Sequence, residues 1–237
     1  MRAQVARLGQ LIKALLGGRE ARSPAFRKFW LSFYAEGDYP RHRLDIDALV
    51  ALQGAERELA ERMLIDALPD VRAVVGLGAL ASVKAYKRLA AMFEAECAAA
   101  QAARISGAFD WRGARLIATA EALWRIEPCP RYSRALIGRL KFAQSGSERM
   151  DAAAALAQMP GADVEAALND ALDDRDALVR HHAARSLLAI HGVEVDARAA
   201  HQMVYCVMGA ERRGGRDFVA VLREDPLDDA RRMRPPA

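Results

Sequence analysis

Threonine occurs once in the 237 residues, at Thr119, and the other β-branched residues are sparse. Side chains branched at Cβ favour strands, so their scarcity argues against a sheet-based fold. Cysteine is scarce too: Cys97, Cys129 and Cys206 are far apart and odd in number. They show neither the paired spacing of a zinc site nor a disulfide framework, and a reducing cytoplasm suits them best. No apolar run is long enough to cross a bilayer. The opening MRAQVARLGQLIKALLGG is broken by Arg and Gln where a signal peptide needs a continuous apolar core, and it reads as an amphipathic helix ended by Gly17-Gly18.

Catalytic signatures are missing as well. The glycines of Val74 to Leu80 and of Arg212 to Arg216 lack the spacing and strand context of a phosphate loop. There is no GxSxG or other nucleophile signature. His181 and His182 are adjacent, so they point to different sides of a helix, and no carboxylate is placed beside His191 or His201. Asp45 and Asp47 are two apart, off a common helical face, and read as helix caps. These gaps leave no catalytic, cofactor-binding or metal-ligating residue to name. The expectation is a protein that is not an enzyme.

What is abundant is alanine, with fifty residues. It is the best helix former, and its small side chain lets helices approach closely, so an all-α fold is expected. The formal net charge of +4 is unevenly spread: residues 1–43 carry +6 and the remainder −2. Six of the fifteen aromatic residues fall between Phe26 and Tyr39, interleaved with Arg27, Lys28, Arg41 and Arg43. That mixture suits a stacking and phosphate-binding surface. The simpler reading, which we favour, is that Phe26, Phe29, Trp30 and Phe33 cap the open end of a helical array, on a helix begun by Ser23-Pro24.

The clearest element is ADVEAALNDALDDRDALVRHHAARSLLAIHG, Ala162 to Gly192. Val164, Ala167, Leu168 and Leu172 mark a first amphipathic helix; Leu178, Val179, Ala183, Leu187 and Ile190 mark a second, stopped by Gly192. Asp173, Asp174 and Asp176 lie between them, where their oxygens can cap the second helix. Weaker copies stand upstream around Arg72, Arg115 and Arg149, which with Arg180 are 43, 34 and 31 residues apart. That is the period of helical-pair repeats. The longest interval predicts an extended helix from about Val83 to Arg104 and a turn from Gly107 to Gly113. Trp111, with Phe109 and Asp110, would be an exposed anchor on that turn. Trp124 is expected in the core.

An acidic turn, then arginine, a small residue three on and a leucine-rich helix end resemble the HEAT-like repeats, in particular the short bacterial kind found in phycobilin lyases. The likeness covers roughly residues 44–192. It implies a right-handed α-solenoid of about five helical pairs, with a basic, aromatic N-terminal cap over residues 1–43 and a C-terminal helical cap and frayed tail over 193–237. It also implies that the repeat arginines and aspartates tie one unit to the next. Such repeats serve many tasks. The expectation is a monomeric, cytoplasmic, non-enzymatic scaffold for one protein partner, held by Trp111 and by Glu121, Asp151, His182 and Arg185 on the second helices. Small free-standing bacterial HEAT-like proteins include immunity proteins that neutralise a secreted toxin or effector domain, and that role is compatible with this chain. Nucleic-acid binding is the alternative, through likeness in size and architecture to HEAT-like DNA glycosylases, although their clustered tryptophan–aspartate motif is not matched at Asp110-Trp111. A chromophore lyase ranks third.

Overall fold

The computed structural model describes residues 22–34, 44–106 and 113–192. The N-terminal amphipathic stretch, the Gly37–Pro40 turn, the Phe109–Trp111 anchor and the C-terminal cap lie outside them. Among the described residues there are ten α-helices, one 3-10 turn and no strand. They divide into two compact units, the first ending at Ala60 and the second starting at Glu61.

The first unit holds α1 (Pro24–Tyr34), α2 (Ile46–Val50) and the start of α3 (Gly54–Ala67). Ser23 opens α1 as expected: its Oγ accepts from the Phe26 amide at 3.1 Å and donates to Glu56 Oε2 at 2.5 Å. Phe26, Phe29 and Phe33 recur every three or four residues and are buried, while Trp30 is half-buried. Their rings touch in sequence along the helix, at 6.0 Å and 6.2 Å. These three phenylalanines are therefore core residues, with no open face for a nucleobase. Asp45 caps α2 by accepting from the Ala48 amide at 2.9 Å.

The second unit continues with α4 (Val71–Ala79), a 3-10 turn (Val83–Ala85), α5 (Tyr86–Ser106), α6 (Gly113–Ile126), α7 (Pro130–Phe142), α8 (Gly146–Leu156), α9 (Ala162–Ala171) and α10 (Ala177–Ile190). The long helix expected from about Val83 begins with that 3-10 turn, capped by Ser82. Helices α5 and α6, α7 and α8, and α9 and α10 form three hairpins. The second helices also contact one another in order, α4 with α6, α6 with α8 and α8 with α10. Small residues let the α4–α6 seam close tightly: a Cβ on Gly78 of α4 would lie 2.8 Å from both Cα and Cβ of Ala122 on α6.

The repeat arginines behave differently from one another. Arg149 on α8 is buried and reaches into the next hairpin, where its Nε and Nη2 donate to the two carboxylate oxygens of Asp174 at 2.7 Å and 2.9 Å. Its Nη1 satisfies the carbonyls of Ala143 and Gln144. Asp174 in turn accepts from the Asp176 amide, and Asp176 caps α10 through the Leu178 amide. One acidic turn therefore starts a helix and anchors its neighbour. Arg115 instead pairs with buried Glu96 inside its own hairpin, at 2.5 Å. Arg72 bends back onto Asp70 at the start of its own helix, and Arg180 donates to the Asp174 carbonyl. The tie between units implied by the family resemblance is thus made by Arg149. The α8–α10 seam has a second polar stitch, Ser186 Oγ donating to the Ala153 carbonyl at 2.8 Å.

Candidate functional site

On a helix, residues three, four or seven apart share a face. Glu121 and Arg125 share one on α6, and Leu178, His182 and Arg185 share one on α10, while Asp151 stands on α8 and Gln158 in the turn that follows it. The ordered contacts of α6, α8 and α10 set these faces side by side, and the groups sense one another. Glu121 is half-buried, and burial pushes its carboxyl above the usual range; Arg125 opposes the rise and Asp151 adds to it. Asp151 is exposed as a residue, yet partial desolvation pushes its carboxyl up too, against the pull of His182. The His182 imidazole is lowered, by burial first and by Arg185 second, while Asp151 works the other way. Asp151 therefore stands between Glu121 and His182, and the row reads acid, acid, imidazole, guanidinium across three helices.

Arg125 and Gln158, absent from the sequence expectation, extend the row, and so does Leu178, which was expected on the apolar face of α10. Arg125 Nε donates to Gln158 Oε1 at 3.0 Å, a direct bridge from α6 to the turn that follows α8. Leu178, one turn before His182, is 55% exposed, an apolar group at the edge of the polar row. Their signal was present in the spacing, since each sits a turn or two from a residue already chosen. Of the five residues expected to bind a partner, Glu121, Asp151, His182 and Arg185 come together here, and Trp111 lies outside the described residues.

Other expectations need amendment. Trp124 is half-buried rather than in the core, three residues after Glu121 on α6. His191 does have a carboxylate beside it: its Nε2 lies 3.3 Å from Glu165 Oε2, because the α9–α10 hairpin folds the end of one helix against the start of the other. His181 and His182 leave α10 in different directions, as adjacent helical residues do, yet their rings meet edge to face with centroids 5.2 Å apart. Among the described residues no three His, Cys, Asp or Glu side chains are placed to hold a metal ion, and none of the helices is long and apolar enough to cross a membrane.

The row is built of two carboxyls, an imidazole and a guanidinium. What it can do chemically is hold complementary charges and hydrogen-bonding groups on a surface with an adjacent leucine. Comparison of the chain with protein-family models, with curated proteins and with solved structures returned no match.

Proposed function

We propose that the chain is a non-enzymatic protein-binding scaffold of the HEAT-like α-solenoid kind, and that it grips a single protein partner with the row on α6, α8 and α10. The observation that carries this reading is the placement of Glu121, Asp151, His182 and Arg185 on three second helices that contact one another in order, each group sensing the field of the next. Rows of this sort give orientation and register to a protein interface, because every misplaced partner meets a like charge. The mixed sign of the row, and the burial of Phe26, Phe29 and Phe33, favour a protein over a nucleic acid, whose phosphates ask for a basic stripe. Neutralisation of a toxin or effector domain is the role we assign within this class.

The test is affinity capture from nuclease-treated native lysate, with the wild-type chain beside Asp151→Lys and Arg185→Glu. One protein should remain at stoichiometric level on the wild type, and each reversal should weaken it by about tenfold or more, ~1.4 kcal/mol, without lowering the melting temperature. Expressed alone, that protein should be toxic, and co-expression of this chain should relieve the toxicity. Equal retention by the variants removes the row from the interface. Material that disappears with nuclease moves the assignment to nucleic acid.

A further inference from the structure

The first helices α5 and α7 run side by side and are bridged by side chains near both ends of α7. At one end Phe93 and Tyr132 meet edge to face at 5.2 Å, and Arg131 reaches Glu94 at 3.0 Å. Beyond that point both helices run on in the same chain direction and enclose a cavity of about 330 Å³ between them. That volume is at the lower bound of small-molecule sites, roughly 300 Å³. Buried Leu116 of α6 forms part of its wall, and Gly138 stands on the α7 side.

Gly138 is the telling residue. It lies inside a helix, where glycine is unfavourable relative to alanine. Its backbone is not left-handed, and a Cβ built on it meets nothing within 4 Å. Neither conformation nor a close neighbour calls for glycine here, in contrast to Gly78 against Ala122. What its missing side chain does is leave the cavity open down to the helix backbone.

The wall of this cavity is also charged. Arg104, Arg134 and Arg139 line it with a single acid, Glu148. Arg139 and Glu148 form an ion pair with each other. No acid among the described residues forms an ion pair with Arg104 or Arg134, so the wall carries two positive charges beyond the paired ones. The Arg104 guanidinium lies over the Phe142 ring, 4.8 Å from its centroid, and that ring is 59% exposed. A guanidinium stacked on an exposed aromatic ring forms a planar platform with apolar and cationic character together.

We propose that this cavity binds a small anion carried on a flat apolar body, an aryl carboxylate or an aryl phosphate. Arg104 and Arg134 hold the oxyanion, and the ring slides over the bare backbone of Gly138 toward Leu116. The site shares no residue with the row on α6, α8 and α10, so its failure would leave the protein-binding reading standing.

Calorimetric titration of the full chain with phenyl phosphate, phenylacetate, inorganic phosphate and benzyl alcohol tests it. At least one aryl anion should bind with a dissociation constant of about 1 mM or tighter, and benzyl alcohol and inorganic phosphate about tenfold more weakly. The tighter of the two aryl anions identifies the oxyanion. Gly138→Leu fills the cavity with a better helix former, so it should keep or raise the melting temperature while weakening the aryl anion at least about tenfold. Arg104→Gln with Arg134→Gln should bring the aryl anion down to the level of benzyl alcohol. The proposal is overturned if neither aryl anion binds better than benzyl alcohol, or if the Gly138 variant binds as the wild type does. Should that variant unfold, the double glutamine variant decides alone.

Discussion

Single side chains here report their surroundings through their protons. The His182 imidazole should titrate below its usual value of 6.5 because burial and Arg185 both disfavour the cation. Histidine ring-proton NMR checks this, and Asp151→Asn should move the midpoint down further while Arg185→Ala moves it up. A midpoint at or above 6.5 in the wild type would remove His182 from the desolvated row. Asp174 shows the opposite behaviour of a carboxyl. Burial would raise it, but hydrogen bonds from Arg149 and the Asp176 amide outweigh that and hold it below 3.8. A carboxyl depressed in the folded state adds stability above its unfolded value, and that contribution is lost as pH falls from about 3.8 through the folded value. The acid limb of the stability curve should accordingly flatten in Asp174→Asn. Glu121 has the reverse sign: its raised carboxyl costs stability once ionised, so Glu121→Gln should raise the melting temperature at neutral pH and change little below the carboxylate range. The residue choices behind this row were legible in the sequence, because Asp151 and His182 each stand two residues after a repeat arginine and so occupy the same place in successive units. Their mutual influence was not legible, since it depends on how close α8 lies to α10.

At the scale of helices the chain relies on two kinds of seam. Between α8 and the turn before α10 lies the Arg149–Asp174 pair, with side chains only 6% and 13% exposed. Removing one partner of a buried pair strands the other's charge, so Arg149→Ala and Asp174→Ala should each cost about 3 kcal/mol in denaturant unfolding. A double-mutant cycle should show strong coupling between them, the double variant costing far less than the sum. Between α4 and α6 the seam is backbone against backbone. Gly78→Ala gains helix propensity of ~1 kcal/mol, but its Cβ would lie 2.8 Å from Ala122. Helices forced apart along a packed seam lose ~1–3 kcal/mol, and the variant should be destabilised overall. Helix starts and stops were easy to read from the sequence, as the caps by Ser23, Asp45 and Asp176 and the positive φ of Gly192 show. The arginines were harder. Four occupy similar positions in sequence, yet Arg149 pairs with an acid of the next hairpin, Arg115 with one in its own and Arg72 with the cap of its own helix, because what each guanidinium finds depends on the acid that tertiary structure brings within its reach.

For the molecule as a whole, the second unit is built from contacts between successive helices, so its two faces are made by different sets of elements. The second helices supply the row proposed to grip a protein, and the first helices supply the cavity between α5 and α7. The row follows from register, and register is written in the sequence. The cavity does not, because nothing in AARISG or RALIGRLKF announces that two helices bridged by Phe93–Tyr132 and by Arg104–Phe142 will leave a cavity between those contacts. The Arg149–Asp174 tie also limits how such a gene can be shortened or lengthened by recombination. Excising residues 162–192 as one hairpin would take Asp174 away and leave Arg149 in the interior with its charge unanswered. A viable cut would have to carry the arginine and its acid together, so the inheritable unit begins inside one hairpin and ends inside the next.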